Sequence, residues 1–75
     1  MFSEIFVNFI QEKKISSYRV AKETGIDPGT MVQYKNGNRV PSIENLIKIA
    51  DYLDVSIDYL VGRTDNPEIN KNKKE

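Results

Sequence analysis

The stretch SYRVAKETGIDPGTMVQYKNG, residues 17–37, decides the fold. Ser16 or Ser17 offers an N-cap, and Val20, Ala21 and Thr24 give the short helix that follows its inner face. Gly25 ends that helix, because glycine takes the left-handed conformation a tight C-terminus needs. Asp27-Pro28 starts a second helix at once, since Asp caps well and Pro at the first helical position sacrifices no needed N–H. Met31 and Tyr34 form its inward face, leaving Pro28, Gly29, Thr30 and Gln33 outward. The small Ala21 lets the two helices cross closely. Asn36-Gly37 closes the unit with a turn signal.

The chain on either side is helical too. Phe2, Ile5, Phe6, Phe9 and Ile10 fall at helical spacing, one apolar stripe near the N-terminus. After the loop Gly37-Asn38-Arg39-Val40-Pro41, Ser42 caps a fourth helix. Ile43, Leu46, Ile49, Ala50 and Leu53 share one of its faces. Asp54 breaks it, and Ser56 caps a last short helix that ends at Gly62. The expectation is an all-α domain over 1–63, with five helices near 2–13, 17–24, 28–36, 42–53 and 56–61. Residues 64–75 read as a flexible polar tail. No internal repeat of solenoid period is present.

The 75 residues carry equal numbers of acids and bases, 11 of each, and the zero net charge hides a segregation. Lys13, Lys14, Arg19, Lys22, Lys35 and Arg39 against Glu23 and Asp27 leave 13–39 with +4. Over 40–69, Lys48 and Arg63 face six acids, a net −4. The basic part coincides with the paired helices at 17–37. Two helices joined by a short turn containing Gly are a helix-turn-helix, whose second helix enters the DNA major groove.

Composition removes most catalytic schemes. With no Cys and no His there is no disulfide frame, zinc knuckle, thiol nucleophile or imidazole base, so an enzyme is not expected. No metal, cofactor or small-molecule substrate is expected either. Asp51, Asp54 and Asp58 read as solvated groups and helix-dipole partners, not as metal ligands. The apolar start lacks the basic n-region of a signal peptide, and no apolar run approaches the roughly 20 residues of a membrane span. A cytoplasmic protein without membrane contact is the expectation.

Ile15-Ser16, Val20-Ala21-x3-Gly25-Ile26 and Met31-x2-Tyr34-x2-Gly37 carry a resemblance. It continues through Pro41-Ser42-Ile43-x2-Leu46-x2-Ile49-Ala50-x2-Leu53 and Val55-Ser56-x3-Leu60. In this order and spacing the chain resembles the Cro/lambda-repressor-like helix-turn-helix proteins, the XRE family, over about 1–63. The resemblance implies a five-helix domain on operator-like double-stranded DNA, commonly as a two-fold homodimer. It implies a transcriptional regulator, often a phage or mobile-element repressor. It maps a phosphate contact to Ser17, base edges to Pro28, Gly29, Thr30 and Gln33, and phosphate clamping to Asn36, Asn38 and Arg39.

The chain also departs from that pattern. Ser17 stands where the family usually has Gln, which shortens the reach to phosphate. Pro28 and Gly29 bring no hydrogen-bonding side chain, so Thr30 and Gln33 carry the direct reading. Gln33 suits the N6 and N7 edge of adenine. Ile10 and Lys35 stand where many members have an Arg–Glu pair, which frees Lys35 to reach DNA.

The bland readings are as definite. Phe2, Phe6 and Phe9 read as core, Tyr34 as a core plug with its hydroxyl near the surface, Asp27 as a cap, and Lys13, Lys14 and Lys22 as solvated. Val32, Ile47, Tyr52, Tyr59 and Val61 fall outside the assigned inner faces. Of the apolar residues near the C-terminal end, Ile57, Tyr59 and Val61 are the dimer candidates. A rival reading keeps the fold but makes it a protein-interaction module, an antitoxin or adaptor with DNA binding secondary. Zero net charge, Pro28 and Gly29 motivate it.

Overall fold

Side-chain caps set the helix boundaries. The computed structural model describes residues 2–68, and its order is α1 (Phe2–Lys13), α2 (Ser17–Thr24), α3 (Pro28–Asn36), α4 (Ile43–Leu53) and α5 (Ile57–Leu60). Ser16, Asp27, Ser42 and Ser56 each accept a hydrogen bond from the backbone N–H three residues on. The donors are Arg19 at 3.0 Å, Thr30 at 3.1 Å, Asn45 at 3.2 Å and Tyr59 at 3.0 Å. Ser16 is therefore the cap of α2, and Ser17 its first helical residue.

The C-termini use left-handed residues, which turn the chain sharply and satisfy the last carbonyls. Gly25 (φ 77°) and Gly37 (φ 81°) do this at no steric cost. Asp54 (φ 60°) does the same after α4. Lys14 (φ 61°) does so after α1, where the Ile15 N–H donates to the Ile10 carbonyl at 2.8 Å.

One core joins all five helices. α1 packs on α3 and α5, α2 on α3 and α4, and α4 on α5. Phe6, Val20, Met31, Ile49 and Leu60 are its most deeply buried side chains, one from each helix. The phenylalanines are core residues, with Phe2 stacked on Phe6 (centroids 5.2 Å apart) and meeting the Tyr34 ring edge-on.

Three expectations need correction. Ile43 is not on the inner face of α4 but 73% exposed. It is the first helical residue, and a helical side chain leans over the turn N-terminal to it. Here the preceding residues are loop, not packed helix, with Val40 and Ser42 exposed and Pro41 buried. Thr24 is only half-buried, and its hydroxyl donates to the Val20 carbonyl at 2.7 Å inside its own helix. α5 is a single turn, shorter than 56–61, because Val61 and Gly62 already belong to the following turn.

Past α5 the chain folds back. The Ser56 N–H donates to the Pro67 carbonyl at 2.9 Å, and Pro67 lines a cleft with Phe9, Leu53 and Val55. The expected tail thus begins with five residues, 64–68, that return to the helices. Its remainder, 69–75, lies outside the described residues. Among the described residues, no helix is long and apolar enough to cross a membrane.

Candidate nucleic-acid interface

The α2–α3 turn is held from both sides. The Gly25 N–H donates to the Ala21 carbonyl at 2.9 Å, and Ile26 plunges into the core at the middle of the turn. Val20 and Ala21 below, with Met31 and Tyr34 above, fasten α3 along one side. Such fixing matters because a reading helix discriminates only as well as its side chains are positioned.

The opposite side of α3 is a defined stripe. Gly29, Val32, Gln33 and Asn36 fall at i, i+3, i+4 and i+7, facing away from Met31 and Tyr34. Pro28 is exposed at its beginning. Thr30 lies to one side, half-buried, with its N–H engaged by the Asp27 cap. Lys35 lies to the other side, exposed, over a groove lined by Ser3, Glu4, Val7 and Asn8 of α1. Ser17 is half-buried at the start of α2.

The Gln33 backbone also organises the loop after α3. Its carbonyl accepts from the N–H groups of Asn38 at 2.9 Å and Arg39 at 3.3 Å, while Gly37 donates to the Tyr34 carbonyl at 3.2 Å. Asn36, Asn38 and Arg39 are therefore held together at the end of the reading helix, all exposed. Among the described residues the one ion pair is Arg19–Glu23, at 3.2 Å on the surface of α2. That pairing offsets the charge of Arg19, whereas Lys35 and Arg39 have no acidic partner among the described residues.

The residues expected at base edges and at the clamp thus lie along α3 and its C-terminal loop, with Thr30 turned furthest from the stripe. Val32, outside the inner face assigned from sequence, falls on the same stripe by the i+3 step from Gly29. The dimer candidates separate. Ile57 is 38% exposed, while Tyr59 packs edge-on against Phe9 (centroids 6.0 Å apart) and Val61 packs against the core. Larger exposed apolar surface occurs at Val40 (80%) and Ile43. Asp54 serves as a left-handed cap, and among the described residues no group of acids is arranged to hold a metal ion.

A buried inner face, a three-residue turn and an outward stripe define a helix-turn-helix. The helix-turn-helix family model matches residues 8–60, and the chain belongs to that family, in its Cro/lambda-repressor (XRE) form. It is 35% identical, over 92% of its length, to an uncharacterized HTH-type transcriptional regulator, YqaE, of Bacillus subtilis, covering 60% of that protein. It is 47% identical, over 60% of its length, to the cryptic phage CTXphi transcriptional repressor RstR of Vibrio cholerae, covering 40% of that protein. A second uncharacterized HTH-type transcriptional regulator of Bacillus subtilis, YobD, is 31% identical over 73% of the chain, which spans 49% of it. The chain therefore spans between 40 and 60% of the length of these relatives. Their names are those of transcriptional regulators, and none is an enzyme's. No solved structure matches the chain significantly.

Proposed function

We propose that the chain binds double-stranded DNA sequence-specifically as a transcriptional regulator, a repressor of phage or mobile-element type. α3 enters the major groove, and Gln33 reads base edges with Pro28, Gly29 and Thr30 around it. Ser17, Lys35, Asn36, Asn38 and Arg39 contact phosphates. The observation that carries this reading is the outward stripe of α3, exposed at Gly29, Val32 and Asn36 and half-buried at Gln33, running directly into a basic, hydrogen-bonded loop. Phosphate contacts fix register and orientation, and base-edge contacts specify sequence, so both belong on one continuous surface. The similarity to a phage repressor supports the repressor type.

The protein acts as a homodimer on an operator-like site, in this reading, since two copies read two half-sites about one helical turn apart. Ile57 is the dimer candidate whose side chain remains the most available, with Tyr59 and Val61 supporting it from the core side.

Selection of bound duplexes from a random pool tests the reading. Enriched sites should carry two related half-sites, and each phosphate contact should add about −0.9 to the slope of log affinity against log salt. A pool with no enrichment, or affinity indifferent to salt, would sink it. The exposed apolar pair Val40 and Ile43 favours a second use, as a docking surface of an antitoxin or adaptor. A stable protein partner, with no DNA retained at low salt, is the result that would prefer it.

A further inference from the structure

The first turn and a half of α3 carries an unusual surface for a reading helix. Pro28 and Gly29 are exposed and offer no side-chain donor or acceptor. Val32 follows at i+4 and i+3 from them and is 43% exposed, on the same outward stripe as Gln33. A side chain on a helix leans toward the N-terminus and covers the turn before its own Cα. That lean carries the Val32 methyls toward the Pro28 ring and the backbone of Gly29. Gly29 lacks a side chain for a local reason as well, because a Cβ there would come within 3.1 Å of the capping carboxylate of Asp27. The outcome is a shallow, mainly apolar shelf formed by Pro28, Gly29 and Val32 at the N-terminal part of the stripe, bordered by the Asp27 carboxylate.

Exposed valine is poorly used on a helix that merely faces water. It is β-branched, forms helix less readily than Ala, Glu or Lys, and leaves 43% of its surface to water there. Its stiffness becomes an advantage in a groove, since one dominant rotamer leaves little side-chain freedom to lose on binding. In the major groove the one strongly apolar group on a base edge is the C5-methyl of thymine. Resting on the proposed DNA-binding role of α3, we infer that Pro28, Gly29 and Val32 form a receptor for a thymine methyl, with Val32 as its specificity-determining residue. Gln33, the next residue on the stripe, reads a neighbouring base pair by hydrogen bonds. The lack of donors at Pro28 and Gly29 is then the chemistry of the site: a polar side chain there would bring its own water against the methyl.

The test uses the full chain and a duplex enriched from a pool of unmodified nucleotides, in which thymine is the one base with a 5-methyl group. Each thymine of the site is replaced in turn by uracil, which removes the methyl and keeps the pairing. Affinities are measured by fluorescence anisotropy for the wild type, Val32→Ala and Gln33→Ala. One thymine per half-site should show a loss of about three- to fivefold on replacement, the worth of one buried methyl. Val32→Ala should abolish that difference, while Gln33→Ala should keep it. Alanine favours helix and Val32 is not among the buried core residues, so a thermal transition that is not lowered certifies the fold of the variant. If an enriched duplex shows no uracil penalty, or one that persists in Val32→Ala, the methyl receptor is wrong and DNA binding stands. If no duplex is enriched, the DNA-binding role itself falls, and the receptor with it.

Discussion

The Tyr34 hydroxyl accepts a hydrogen bond from the Asn45 side-chain amide at 2.9 Å, tying the reading helix to α4. Tyr34 is 3% exposed and its ring meets Phe2 edge-on, so the phenol spans from the α1–α3 contact to the first turn of α4. Tyr34→Phe keeps the ring and removes the acceptor. A cost of about 1 kcal/mol is expected, with Asn45→Ala costing a similar amount. The double variant should lose less than the two combined, because the second change removes a group already without its partner. Urea unfolding of the four proteins measures the coupling. Strict additivity would mean that the hydrogen bond contributes nothing to holding α3 in place.

That bond marks the limit of what the chain alone discloses. The helices were legible because each has its own local signature: a Ser or Asp cap, an apolar stripe, and a glycine or turn at the end. Gln33 and Arg39 were legible as candidates because their places in the helix and the loop follow from that register. Pairings across the fold were not. Nothing adjacent to Tyr34 points to Asn45, and periodicity alone sets Ile43 on the α4 stripe although, as the first helical residue, it stands 73% exposed. The half-burial of the dimer candidates Tyr59 and Val61 against the core was hidden for the same reason. The short α5 lies against α1, and a contact of such sequence separation leaves no trace in local spacing.

Gly25 and Gly37 share a backbone conformation but not their surroundings, and this separates two costs. A Cβ on Gly25 meets nothing within 4 Å, while one on Gly37 comes within 3.1 Å of the Ser3 Oγ. Alanine at either site suffers the left-handed penalty of about 1–2 kcal/mol. Gly37→Ala should be the more destabilising, and Ser3→Ala should restore part of the difference. Thermal melts of the three single variants and of the Ser3→Ala, Gly37→Ala double variant decide it. Equal losses at the two glycines would show that the α1–α3 loop contact yields freely.

Gln33 and Arg39 are joined through backbone, since the Arg39 N–H donates to the Gln33 carbonyl, yet their side chains should act differently. Arg39→Ala should weaken selected and unrelated duplexes by the same factor and make the salt slope about one unit shallower. Gln33→Ala should cost about 1–3 kcal/mol on the selected site and little on unrelated DNA, relaxing the preference at one base pair. Anisotropy titrations at several salt concentrations separate the two. An Arg39→Ala loss confined to the selected site would contradict the phosphate role.

The return of the chain at Pro67 gives the domain a later end than composition suggests. Cutting after Arg63 removes the carbonyl that accepts from the Ser56 N–H and uncovers the side of the cleft formed by Phe9, Leu53 and Val55. The lost hydrogen bond and the newly wetted apolar surface together should cost about 1–2 kcal/mol. In a domain of this size that lowers the melting temperature by roughly 4–16 °C. A chain ending after Glu68 retains both contacts and should melt with the full-length protein. The comparison is informative because both truncations remove the Lys-rich end, so its loss cannot account for a difference between them, and repeating the melts at high salt screens the two acids, Asp65 and Glu68, by which they differ. If the two melt together below the full chain, the Pro67 contact is idle and the stabilising residues lie beyond Glu68.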